Sequence, residues 1–242
     1  MHWLGFHDPV SAWTHGAWFL LSIPATLWLV LKCRGNALKQ IAFVIFGVGL
    51  FVCYGGSTLW HTFHKEDLAT LDYIGIFLLI AGTTTAVVLI VLDGIWRVGT
   101  LLYVWLLATT GIVLTLMPVH LPHLVYTVLY LGMGWGMCIS YFELVRILGQ
   151  RKLFLIILGG IWYSLGAILN AARWPSFLPG VFGSHELFHV FVMAGSLTHF
   201  VFMMKTLVPF RRRVMVFEPV APRTAPAMPS RISLPQLQGE SA

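Results

Sequence analysis

The sequence predicts an all-α fold: a bundle of seven transmembrane helices in an integral membrane protein. Two observations predict it. The 242 residues are 58% hydrophobic and only 10% charged, with a mean hydropathy of +0.83, whereas soluble domains carry about 45–50% apolar and about 25% charged residues. The apolar residues also gather into seven stretches, each close to the roughly 20 residues that a bilayer core asks of a helix.

In chain order the spans lie at about 12–31, 38–60, 71–92, 98–117, 121–143, 153–172 and 185–208. Polar or Gly/Pro punctuation separates them. Lys32 to Asn36 follows the first span, His64 to Asp67 the second, and Asp93-Gly94 the third. Pro118 to Pro122, Gln150 to Lys152 and Trp174-Pro175-Ser176 follow the next three. The first span is read as retained, because Met1 to Pro9 lacks the basic n-region of a cleavable signal peptide. In the fifth span, Gly132-x-x-x-Gly136 suggests a close helix approach. Residues 1–208 thus form the membrane domain. Residues 209–242 differ in kind: they open with Pro209 to Arg213, hold six of the twelve prolines, and read as a disordered basic tail.

The charge of +6 orients the bundle and calls for no nucleic-acid partner. Thirteen of the 15 Lys and Arg residues fall on one side of the spans; only Lys65 and Arg173 fall on the other. The positive-inside rule then places the N-terminus outside and the C-terminus in the cytoplasm. Cys33, Cys53 and Cys138 are scattered and predict neither a disulfide framework nor a thiolate metal site.

Polar residues inside membrane spans are costly and mark sites. Two islands stand out: Ser57 with His61, and His185 with His189, each pair spaced to share one helix face. Asp72 opens the third span. The end of span two, the start of span three and the start of span seven lie on the same membrane face, so parity lets all five residues meet at one depth. Three neutral imidazoles suit Zn²⁺ and leave a fourth position for water, whose pKa falls from 15.7 to about 7. Asp72 then suits a general base, and Ser57 can orient a ligand or bond a carbonyl oxygen under attack. A core of Leu, Phe and Val favours an amphiphilic lipid with an amide or ester near its headgroup.

Plainer roles compete. Asp72 can be a helix N-cap, and Ser57 can bond back to its own helix. His2, His7, His15, His64, His120 and His123 read as interfacial side chains. His199, about 15 Å deeper than His189 by helical rise, reads as an interhelical hydrogen-bonding group.

Ser57-x-x-x-His61, Asp72 and His185-x-x-x-His189 in the last of seven helices resemble the hemolysin III family. That family is the bacterial branch of the progestin and adipoQ receptor group, itself similar to alkaline ceramidases. Ser11-Ala12-Trp13-Thr14-His15-Gly16 also resembles the start of its first helix. The resemblance covers about residues 10–208. It implies a bacterial inner (plasma) membrane protein, zinc held by His61, His185 and His189, water contacted by Asp72, and hydrolysis of a lipid amide as in the relatives. Two departures stand against the animal receptors. Only about a dozen residues precede the first span, so hormone sensing gains no support. Those receptors have a cytoplasmic N-terminus, the reverse of the charge reading.

The expectation is therefore a zinc-dependent hydrolase of a membrane lipid amide or ester. The alternative is a non-enzymatic sensor, receptor or pore with structural zinc. His185-Glu186-Leu187-Phe188-His189 is also a literal H-E-x-x-H, in which Glu186 would serve a zinc protease as base. Asp93, the analogue of a distant Asp ligand, ends span three on the opposite face and cannot share that metal.

Overall fold

The computed structural model describes residues 8–118, 121–178 and 181–211. Most of the expected tail, together with His2, His7 and His120, lies outside the described residues. Among the described residues the chain is helical throughout: α1 (Pro9–Lys32), α2 (Ala37–Phe63), α3 (Glu66–Val91), α4 (Gly94–Leu116), α5 (His123–Trp135), α6 (Tyr141–Leu148), α7 (Gln150–Ala171) and α8 (Ser184–Phe202). Seven segments are long and apolar enough to cross a membrane, with α5 and α6 together making the fifth.

That fifth segment departs from the expected single helix. A 3-10 turn, Gly136–Ser140, joins α5 to α6 and carries the span on to Leu148. Gly132, Gly134 and Gly136 weaken the helix here, since glycine costs about 1 kcal/mol relative to alanine in a helix interior. The expected glycine seam is also only half present. A Cβ on Gly136 would meet the Tyr103 ring of α4 at 1.9 Å, but one on Gly132 would meet nothing within 4 Å. Gly136 thus makes room for an aromatic ring, and no backbone approaches Gly132.

α2 and α3 approach each other closely. A Cβ on Gly75 would fall 2.5 Å from the Cys53 Cα, and one on Gly49 would fall 2.6 Å from the Leu78 carbonyl oxygen. No side chain fits at either position, so the two backbones pack directly. The pair carries Ser57 and His61 on one member and Asp72 on the other. α3 is the helix most enclosed by protein. One core cluster joins Phe43, Phe46 and Leu50 of α2 to Val87 and Val91 of α3 and Phe202 of α8. A smaller one joins Phe77 of α3 to Val104 of α4 and Met133 of α5.

α8 ends in a π-turn, Met203–Leu207. There the buried Lys39 of α2 donates to the carbonyls of Leu207, Val208 and Phe210 at 2.6–2.8 Å. All three ammonium hydrogens have acceptors, which makes its burial tolerable and caps the helix end.

Candidate metal centre

Four helix ends meet at one end of the bundle. α1 brings Asp8, Ser11 and His15; α2 brings Ser57 and His61; α8 brings His185, Glu186 and His189. Asp72 lies on the second turn of α3. Since α3 starts at Glu66 with Lys65 at its N-cap, Asp72 is not the cap. Ser57 Oγ is buried and makes no bond back to its own helix. The structure therefore assigns neither residue its plainer role.

The ligand atoms of His61, His185 and His189 all lie within 4.8 Å of one another, so the group can hold a metal ion. His61 and His189 are buried, and His185 is half-buried. The Nε2 atoms of His61 and His185 face each other at 3.1 Å. Two nitrogens bound at 2.0–2.1 Å to a tetrahedral ion stand about 3.3–3.4 Å apart. His189 Nδ1 is buried with no hydrogen-bond partner. An uncharged imidazole cluster of this spacing, with an orphaned nitrogen, fits a borderline-soft cation such as zinc.

Asp8 was missed by the sequence reading. Its Oδ2 lies 3.0 Å from His61 Nδ1 and accepts from His64 Nε2 at 2.7 Å, while its backbone N–H donates to the His61 carbonyl at 3.1 Å. A carboxylate on Nδ1 fixes the His61 ring and tautomer and leaves Nε2 free to face the cluster. Partial burial pushes the Asp8 carboxyl up. The bonds to His61 and His64 outweigh this and hold it below its ordinary value, so it carries a charge at neutral pH. Asp8, His61 and His64 also lie close enough to form a second possible metal group. Its hydrogen-bond spacing matches support of the histidine cluster. The available signal was parity, because Asp8 precedes span one on the same face as His61.

His15 is likewise no interfacial side chain. It is 3% exposed and stacks on His189 with ring centroids 3.7 Å apart and 10° between planes. His64 is exposed and serves Asp8, and His123 is exposed at the start of α5.

Glu186 is occupied elsewhere. Its Oε2 accepts from the Gly183 N–H at 2.8 Å and its Oε1 from the Ser11 hydroxyl at 3.3 Å, which closes the first turn of α8 onto α1. Asp93 is paired with Arg97 at 2.7 Å, where α3 gives way to α4. Neither geometry suits the protease arrangement.

Below the histidines a cavity of about 850 Å³ runs between α3, α5, α7 and α8. Ser57, Asp72, His185 and His189 line it together with many apolar side chains. On α3 its wall extends from Glu66 to Thr84, about 27 Å of helical rise.

A model of the family described as Haemolysin-III related matches residues 6–200. The chain belongs to this family. It is similar to the Hemolysin-3 homolog of Bacillus subtilis (strain 168), with 38% identity over 196 residues, 78% of this chain and 89% of that protein. Hemolysin-3 of Bacillus cereus is also 38% identical, over 192 residues, 77% of this chain and 85% of the relative. A more distant likeness reaches the adiponectin receptor protein of Drosophila melanogaster, 27% identical over 217 residues and 48% of the receptor's length. The haemolysin-III match takes in Asp8 and all three clustered histidines.

Proposed function

We propose that this haemolysin-III family protein is a zinc-dependent hydrolase of an amide or ester bond in an amphiphilic membrane lipid. The observation that carries the proposal is the histidine cluster at the head of a long, largely apolar cavity. His61, His185 and His189 would hold the ion. When bound, zinc supplies Lewis-acid polarisation and makes water nucleophilic near neutral pH. The chain's own groups do the rest. Asp72 accepts a proton at its carboxylate, and the Ser57 hydroxyl donates to the carbonyl oxygen of the bond being cleaved. The apolar walls hold the lipid chain and keep bulk water from the reacting end. The basic residues support a plasma-membrane placement with the C-terminus in the cytoplasm and the histidines near the outer face.

Asp72→Asn is the test, because it removes a base and no clustered histidine. Purified variant should keep its metal while lipid amide or ester hydrolysis falls by roughly 10²–10⁴-fold. A second reading rests on the way His61 and His185 tie α2 to α8: metal at that junction would be structural, as in a sensor or pore. Metal-loaded protein that hydrolyses no lipid amide or ester, yet unfolds on chelation, would establish it.

A further inference from the structure

At its histidine end the cavity wall carries charge that the proposed hydrolysis does not use. Glu66, His123 and Arg173 all line the cavity and all three are exposed, so the cavity opens where they stand. Helix order gathers them: Glu66 begins α3, His123 begins α5 and Arg173 follows the end of α7. α5 packs against both α3 and α7, which sets His123 between the other two around the mouth. Trp174 and Phe177, just beyond Arg173, are exposed aromatic residues of the kind that sit at headgroup depth in a bilayer. The mouth therefore lies level with lipid headgroups, and the largely apolar wall below it lies level with acyl chains.

The fold does not neutralise these charges. Among the described residues, neither Glu66 nor Arg173 takes part in an ion pair, with the other or with any third group. Among the same residues, Arg173 is the only lysine or arginine of the cavity wall, and Glu66 is its only carboxylate besides Asp72. Lys65 and Asp67, which flank Glu66, stay off the wall. Arg173 holds a left-handed backbone with φ 53°, which glycine or asparagine takes more readily, so local chain geometry gives no reason for an arginine there. A guanidinium presents a planar fork of donors suited to phosphate, and a carboxylate accepts from an ammonium group. An anionic headgroup would meet repulsion from Glu66, and an uncharged one would leave both charges unused. One cation and one anion at the mouth match a headgroup that carries both charges.

We propose that the mouth of the cavity selects zwitterionic lipids, with Arg173 receiving the phosphate of the headgroup and Glu66 its ammonium group. The proposal rests on the cavity holding a lipid chain with its headgroup by the histidines, and the test separates the two claims. The probes are the octadecyl ether of glycerol, its phosphate and its phosphoethanolamine derivative. They share one chain, differ in headgroup charge and carry no carboxylic amide or ester to be cleaved. Their binding is measured on the purified full-length protein in a nonionic detergent. The phosphoethanolamine ether should bind about threefold to tenfold more tightly than either of the others, as two partly exposed charge contacts allow, and should lose that margin at high salt. Arg173→Gln should bring it down to the level of the uncharged ether, and Glu66→Gln down to the level of the phosphate ether. Equal binding of all three ethers, tightest binding of the phosphate ether, or a margin that survives either substitution overturns the zwitterion selection alone. Binding of none of the three overturns the lipid-chain reading of the cavity, and the selection with it.

Discussion

A histidine that gives one nitrogen to a metal has another left over, and the partner of that second nitrogen sets the ring. At His61 the partner is Asp8, itself held by His64 and by the end of α2. Asp8→Ala should therefore weaken metal binding by about 10–100-fold in chelator competition, with Asp8→Asn partly restoring it through its amide oxygen. Unchanged affinity in Asp8→Ala would remove Asp8 from the centre. Among the histidines, His61→Ala and His189→Ala should each lose most of the bound metal by elemental analysis, whereas the exposed His123→Ala should keep it. Equal metal in all three variants would sink the site. The two islands could be read from sequence because a bilayer makes every polar residue conspicuous, and helix parity assigns each to a membrane face. Asp8 and His15 shared that face and were passed over, because what distinguishes them is which way α1 is rotated. Spacing within α1 says nothing about that rotation.

Among the elements, the seven spans were legible from apolar length alone, but the break in the fifth was not. Three glycines within five residues marked a weak helix without saying which would meet a neighbour. That depends on Tyr103 reaching across from α4. The tight α2–α3 seam was equally hidden, since Gly49 and Gly75 follow no spacing that names their partners. Substitutions separate the two kinds of glycine. Gly75→Ala forces a methyl group against the Cys53 backbone and should cost about 1–3 kcal/mol in denaturation of the detergent-solubilised protein. Gly132→Ala meets open space and should be neutral or stabilising by up to about 1 kcal/mol, through helix propensity. Equal losses at both positions would contradict direct backbone packing in the seam.

For the molecule as a whole, the one-sided distribution of basic residues is the basis on which we propose a cytoplasmic C-terminus. A reporter fused after residue 242 should therefore be active only in the cytoplasmic compartment; activity solely outside would move the mouth of the histidine cluster inward. The cavity was the least legible feature of all. Its walls come chiefly from α3, α5, α7 and α8, with side chains from α1, α2 and α6, and no single span shows in its own pattern that it borders a void.

α3 carries a consequence for how the protein is made. Over 18 residues its mean hydropathy reaches 2.5, against 1.4 in α1 and in His123–Leu148, yet α3 is the span most enclosed by protein. So apolar a segment leaves the translocon for the bilayer unaided. Once there, it is a fixed post against which less apolar neighbours can be retained while their histidines still lack partners. Making α3 less apolar should trap the nascent chain at insertion before it harms the mature fold.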